Sequence, residues 1–120
     1  MSLHVSLVRA KWVSYDEGKT HTKEDEYVYD AGITHNLGGM ANEAGIYKAL
    51  WRPEEINKEK AGDIIGLLEV GLTDLKSRPK YFEKFNSSNG WGMYEHFVPF
   101  VEKYLNACKK HPNSIIEISR

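Results

Sequence analysis

Two short stretches of this chain carry side chains that a plain scaffold does not need. The first is Thr34-His35-Asn36-Leu37-Gly38-Gly39-Met40, where a strand-like segment runs into a helix-like one. Paired glycines in a first helical turn lower helix propensity, by about 1 kcal/mol each against alanine. Gly38 and Gly39 would let another group approach the backbone closely. Backbone N–H groups at a helix start favour anions. Thr34, His35 and Asn36 would add side-chain hydrogen bonds, so this stretch reads as a site for an anion or a carboxamide. The bland alternative is a tight strand-to-helix turn whose glycines serve packing.

The second stretch is Asn89-Gly90-Trp91-Gly92, followed by Tyr94 and Glu95. An indole between two glycines can wall a pocket and offer its N–H to a ligand. It can equally plug the edge of a core. Should Glu95 face His35, the two would form a carboxylate–imidazole pair suited to general acid–base chemistry. Arg52, between Trp51 and Pro53, is a third candidate: its guanidinium could clamp a carboxylate or phosphate. The alternative is an ion pair with Glu54 or Glu55.

Other chemistry is not indicated. The five histidines have neither HxH nor HxxxH spacing and there is no CxxC, so no metal is expected. The dinucleotide glycine fingerprint, the phosphate loop and the GxSxG elbow are all missing, and no cofactor is expected. The single cysteine, Cys108, reads as a small buried apolar residue on a helix rather than a nucleophile. The stretch from Lys76 to Lys84 mixes basic and aromatic residues, but Glu83 interrupts it. With 16 basic residues against 17 acidic and a net charge of -1, the chain gives no general attraction to nucleic acid.

Elements that could position these residues follow from periodicity. Leu3, Val5 and Leu7 alternate with other residues, which predicts a half-buried strand to about Val13. The polar residues 16–26 read as a solvated loop or hairpin tip, and Glu26 to Ile33 as a second strand, paired antiparallel with the first. Leu37, Met40, Ala41, Ala44, Tyr47, Leu50 and Trp51 recur at helical steps, with Asn36 as the expected N-cap. Ala61 to Leu75 predict a second helix over about 58–76, and Pro79 opens a short third segment. Tyr94 to Cys108 predict a further helix, with a kink or late start expected at Pro99. Pro112 then stops it, and Ser114 to Ser119 close the chain as a strand. The order β-β-α-α-α-β predicts an α+β fold, a small antiparallel sheet of about three strands covered by three helices.

With 120 residues, 41% hydrophobic and 28% charged, the chain fits a single domain over 1–120 without staples. The N-terminal stretch is broken early by His4 and Arg9, so neither a signal peptide nor a membrane span is expected, and the expected compartment is the cytoplasm. Three blocks, ITHNLGGMANEAGIYKALWRPEE, NSSNGWGMYEHFVPFVEKYLNACKKHP and SIIEISR, resemble a family of short uncharacterised proteins from bacteria and their phages. The resemblance covers roughly residues 31–120. It implies a cytoplasmic bacterial or phage protein and transfers no reaction and no catalytic residue.

Three readings of function stand at this level. The leading one is a non-enzymatic module that binds a small polar or anionic ligand, or a protein partner, through Thr34, His35, Asn36, Gly38, Gly39, Arg52, Asn89 and Trp91. The second is a small hydrolase or transferase on a nucleotide-like substrate, with His35 and Glu95 as its acid–base pair. The third is an assembly protein, a homo-oligomer joined through an exposed sheet edge. Neither nucleic acid nor membrane is an expected partner.

Overall fold

A computed structural model describes the backbone of residues 2–15 and 20–120, and the side chains of these residues except 11–15 and 20–23. Three strands form one sheet in the order β2-β1-β3, with both neighbours of β1 antiparallel. β1 spans Ser2–Tyr15, β2 Thr20–Thr34 and β3 Ile115–Ser119. Five helices lie between β2 and β3: α1 Gly38–Glu43, α2 Tyr47–Trp51, α3 Ala61–Ser77, α4 Pro79–Glu83 and α5 Tyr94–Lys110. The fold is α+β, as the change of period predicts. No helix among the described residues is long and apolar enough to cross a membrane.

The core explains the periodicity. Leu3, Val5 and Leu7 on one face of β1 are fully buried. Against that layer α3 sets Ile64, Leu68, Leu72 and Leu75, and α5 sets Phe97, Val101, Tyr104, Leu105 and Cys108. Each such aliphatic or aromatic side chain contributes about 1.5–3 kcal/mol by leaving water. Burial pushes the Cys108 thiol up to about 12, so it stays protonated and packs as an apolar group.

Four local expectations need correcting. The polar segment 16–26 is in large part strand, because β2 begins at Thr20 and pairs with β1 as far as Tyr15. Only the tip expected around Gly18 lies outside the described residues. Arg9, Ala10, Glu24 and Asp25 are exposed there, so the polarity marks a ribbon reaching past the core rather than a loop. The helix expected from Leu37 to Trp51 is two helices. Gly45 takes a left-handed conformation (φ 76°), and the N–H groups of Gly45 and Ile46 donate to the carbonyls of Asn42 and Ala41, a terminating glycine motif that side-chain spacing does not reveal. The N-cap is not Asn36. Thr34 Oγ1 accepts from the Asn36 N–H at 3.3 Å and opens a 3₁₀ turn over His35–Leu37. Of the two outcomes expected at Pro99, a kink or a late start, the late start does not occur: Pro99 is the sixth residue of α5, and the proline frees only the carbonyl of Glu95, in an exposed first turn where water can serve it.

Tyr104 brings a polar group into the core. Its ring stacks on Tyr29 at 5.9 Å, and its hydroxyl has no hydrogen-bond partner among the described residues. Burial holds its pKa far above the ordinary tyrosine range. An unsatisfied buried hydroxyl costs about 1–3 kcal/mol. Tyr104→Phe is therefore expected to stabilise the protein by about 1 kcal/mol in urea unfolding. A loss of stability in that variant would contradict this account of the hydroxyl.

Candidate functional site

The site begins with strand register. Pairing of Ser2 with Thr34 brings the start of β1 beside the end of β2. Directly after Thr34 the chain turns into His35–Leu37, and the loop between α4 and α5 folds back onto this turn. Asn36 Nδ2 donates to the carbonyl of Trp91 at 2.9 Å, a contact across 55 positions of sequence. Gly92 makes the approach possible. Its φ is 107°, and a Cβ there would stand 2.9 Å from the Cβ of Asn36. Glycine is the residue that occupies such backbone without strain.

Asparagines hold the loop itself. Asn89 Oδ1 accepts from the Trp91 N–H at 2.9 Å and from the Ser87 hydroxyl. Asn86 Oδ1 accepts from the Tyr94 N–H at 2.7 Å, and the carbonyl of Gly92 accepts from the Ser87 N–H. Side chains that replace backbone partners in this way are the usual means of fixing a short turn. The Trp91 ring is therefore fixed at its backbone while 70% of the residue remains exposed.

Between the loop and the turn lies an open cleft of about 840 Å³. Thr34, His35, Asn36, Asn89, Trp91 and His96 supply its polar and aromatic lining, and Ser2, Gly32, Ile33, Leu37, Gly90 and Gly92 complete it. Among the described residues, no lysine, arginine, aspartate or glutamate lines it. Behind it, Trp51 is buried and donates its indole N–H to His35 Nδ1 at 2.8 Å. Tyr47 stacks on the other side of Trp51, with 5.2 Å between ring centroids. With Nδ1 occupied as an acceptor, the neutral His35 imidazole carries its proton on Nε2. Nδ1 is thus unavailable as a base, whereas Nε2–H is a donor.

Of the expected site residues, Thr34, His35, Asn36, Asn89 and Trp91 come together in the cleft. Arg52 does not. Its guanidinium is 3.3 Å from Glu55, which also faces Lys48 at 3.7 Å, so it closes a local surface ion pair. Gly38 and Gly39 lie outside the lining, and a Cβ on Gly39 would meet nothing within 4 Å. Glu95 faces His96 at 3.9 Å and no hydrogen bond or ion pair joins it to His35 among the described residues. The helix start is six residues long after its 3₁₀ turn, too short to build a strong dipole, and Thr34 already takes one of its N–H groups. No group of three His, Cys, Asp or Glu able to hold a metal occurs among the described residues.

Sequence reasoning missed Ser2, Gly32, Ile33 and His96, and it singled out the stretches holding Leu37, Gly90 and Gly92 without giving those three a contact. His96 was within reach, since it falls in the first turn of the helix that follows the Trp91 loop. Ser2 and Gly32 depend on strand register, for which the sequence has no local signal. Comparison with known proteins adds no relative: no protein family, curated protein or solved structure matches the chain.

Proposed function

We propose that this protein is a non-enzymatic binding module whose cleft takes a small, planar, polar ligand. The observation that carries this reading is Trp91. Exposed apolar surface is costly, and a free loop would let an indole collapse onto the core. Here hydrogen bonds at Asn36 and Asn89 hold its backbone beside the cleft. An aromatic face kept exposed in that manner suits stacking against a flat ring. The Nε2–H of His35, the carbonyl of the Asn36 amide and the amino group of Asn89, the latter two without partners among the described residues, supply donors and acceptors of both kinds for the ring's edge. Among the described residues no lysine or arginine lines the cleft, which favours an uncharged polar group over the anion expected from the helix start.

The acid–base enzyme reading has less support, since His35 Nδ1 is engaged by Trp51 and Glu95 stands beside His96. Following the resemblance of the three sequence blocks, we take the protein to act in the cytoplasm of a bacterium or in phage infection.

A screen of free bases, nucleosides, aromatic amino acids and nicotinamide-like amides tests the reading by thermal shift and tryptophan fluorescence. At about a hundred times its dissociation constant, a ligand of the folded form stabilises it by about 2.7 kcal/mol. Trp91→Ala, with the fold intact, is expected to weaken binding by about 5- to 150-fold, the equivalent of one stacked ring at about 1–3 kcal/mol. A ligand that binds the Trp91→Ala variant as tightly as the parent would end this assignment. So would the failure of every planar compound in the screen.

A further inference from the structure

We infer that the protein forms a two-fold dimer through the free edge of β1 in its hairpin arm. β3 pairs with β1 only from His4 to Val8. Beyond that point, Arg9–Tyr15 is paired with Glu26–Thr20 on one side, and on the β3 side no strand accompanies it among the described residues. Seven strand residues extend about 24 Å. The molecule accordingly measures 59 × 27 × 23 Å, and its radius of gyration of 16.5 Å exceeds the roughly 14 Å expected of a compact chain this long.

A two-stranded ribbon is marginally stable by itself in water, and a third strand is the usual remedy. The two edges of this arm differ in how they are defended. Within the arm β2 bears three successive acids, Glu24, Asp25 and Glu26, and its bulge, opposite Leu7/Val8, lies just below the arm. Bulges and charge are devices that prevent edge pairing. The open stretch of β1 has no bulge and no proline, its two charges, Arg9 and Lys11, fall in its first half, and Trp12, Val13 and Tyr15 are strand-forming types.

A second copy of the same stretch fits this edge. Antiparallel pairing centred on Trp12 uses all seven residues and sets Arg9 opposite Tyr15, Ala10 opposite Ser14 and Lys11 opposite Val13. No two like charges meet, so the segment is self-complementary, as a two-fold interface requires. The end of each guest strand reaches Arg9, one wall of a groove of about 440 Å³ between Val8–Ala10 and Lys110–Ile115. The sheet would become a continuous ribbon, β2-β1-β1-β2, through the middle of the dimer.

Light scattering coupled to sizing chromatography, run on the full chain over a range of concentrations, should give twice the chain mass at high concentration. At the two-fold axis the Cα of residue 12 would stand opposite its own copy at about 4.5–5.5 Å, a spacing that a disulfide can bridge. Trp12→Cys should therefore cross-link under mild oxidation, whereas Asp25→Cys on the outer strand should not. Cys108 is buried and gives no background. If Trp12→Cys fails to fold, the Ala10→Cys/Ser14→Cys double variant places two such pairs across the same axis and should cross-link likewise. A single-chain mass up to the solubility limit overturns the proposal. A dimer that neither arm variant cross-links overturns it equally, because the interface would then lie elsewhere.

Discussion

Replacing Trp51 with alanine should remove about 3–5 kcal/mol of stability, the usual cost of deleting a buried aromatic ring. For a chain of this size that is a fall of more than about 10 °C in melting temperature. Trp51 is 2% exposed and belongs to three contacts at once. It stacks on Tyr47, it donates to His35, and its carbonyl accepts from Arg120 Nη1 at 2.7 Å. The last contact survives in alanine because it uses the backbone; the first two do not. Trp51→Phe separates packing from hydrogen bonding. It keeps an aromatic ring beside Tyr47 and loses the N–H, so its stability cost should be about 1 kcal/mol. His35 then has no fixed partner behind it, and binding in the cleft should weaken although the fold remains. Urea unfolding and ligand titration of the two variants check this. Equal stability of Trp51→Ala and the parent would mean that the indole is not the floor on which the site rests.

Gly92→Ala should have the largest effect on the cleft. A side chain at φ 107° strains the backbone by about 1–3 kcal/mol. The new methyl would also meet Asn36 Cβ at 2.9 Å and Thr34 Cγ2 at 3.3 Å. The loop must move away from the turn, breaking the Asn36–Trp91 hydrogen bond. Ligand affinity should drop by more than tenfold, the factor that corresponds to about 1.4 kcal/mol. Gly39→Ala provides the contrast. Its methyl would enter open space within α1, where alanine is favoured over glycine by about 1 kcal/mol, so it should stabilise the protein and leave binding unchanged. Both are read by thermal melting and titration. If Gly92→Ala bound as the parent does, the loop-to-turn contact would have no part in the site.

The two stretches with unusual chemistry share one cleft, and they were legible because their residue types are poor choices for regular structure. Asparagine, glycine and an isolated tryptophan are rarely placed in a row unless turn geometry demands it. Within those stretches the assignment of roles was less successful. Gly38 and Gly39 looked functional and Gly92 did not stand apart, since the need for glycine depends on φ and on what lies opposite. Arg52 looked like a clamp because the arginine was visible and its partner Glu55 could be only one of two guesses.

Periodicity alone determined that this chain alternates early, turns helical after residue 36 and closes on a strand, because burying one face of an element leaves its repeat in the sequence. Turn chemistry determined where the loop with Trp91 had to be. Tertiary structure decided the rest. The order β2-β1-β3, the meeting of Asn36 with Trp91 and the hydrogen bond from Trp51 to His35 join residues far apart in the chain. Such contacts arise from packing the whole core at once, and no local stretch encodes them. The ribbon beyond the core shows the same limit from the other side. Its second strand, Thr20 to Glu26, is polar in sequence, and a polar strand cannot be told from a loop until its partner strand is in place.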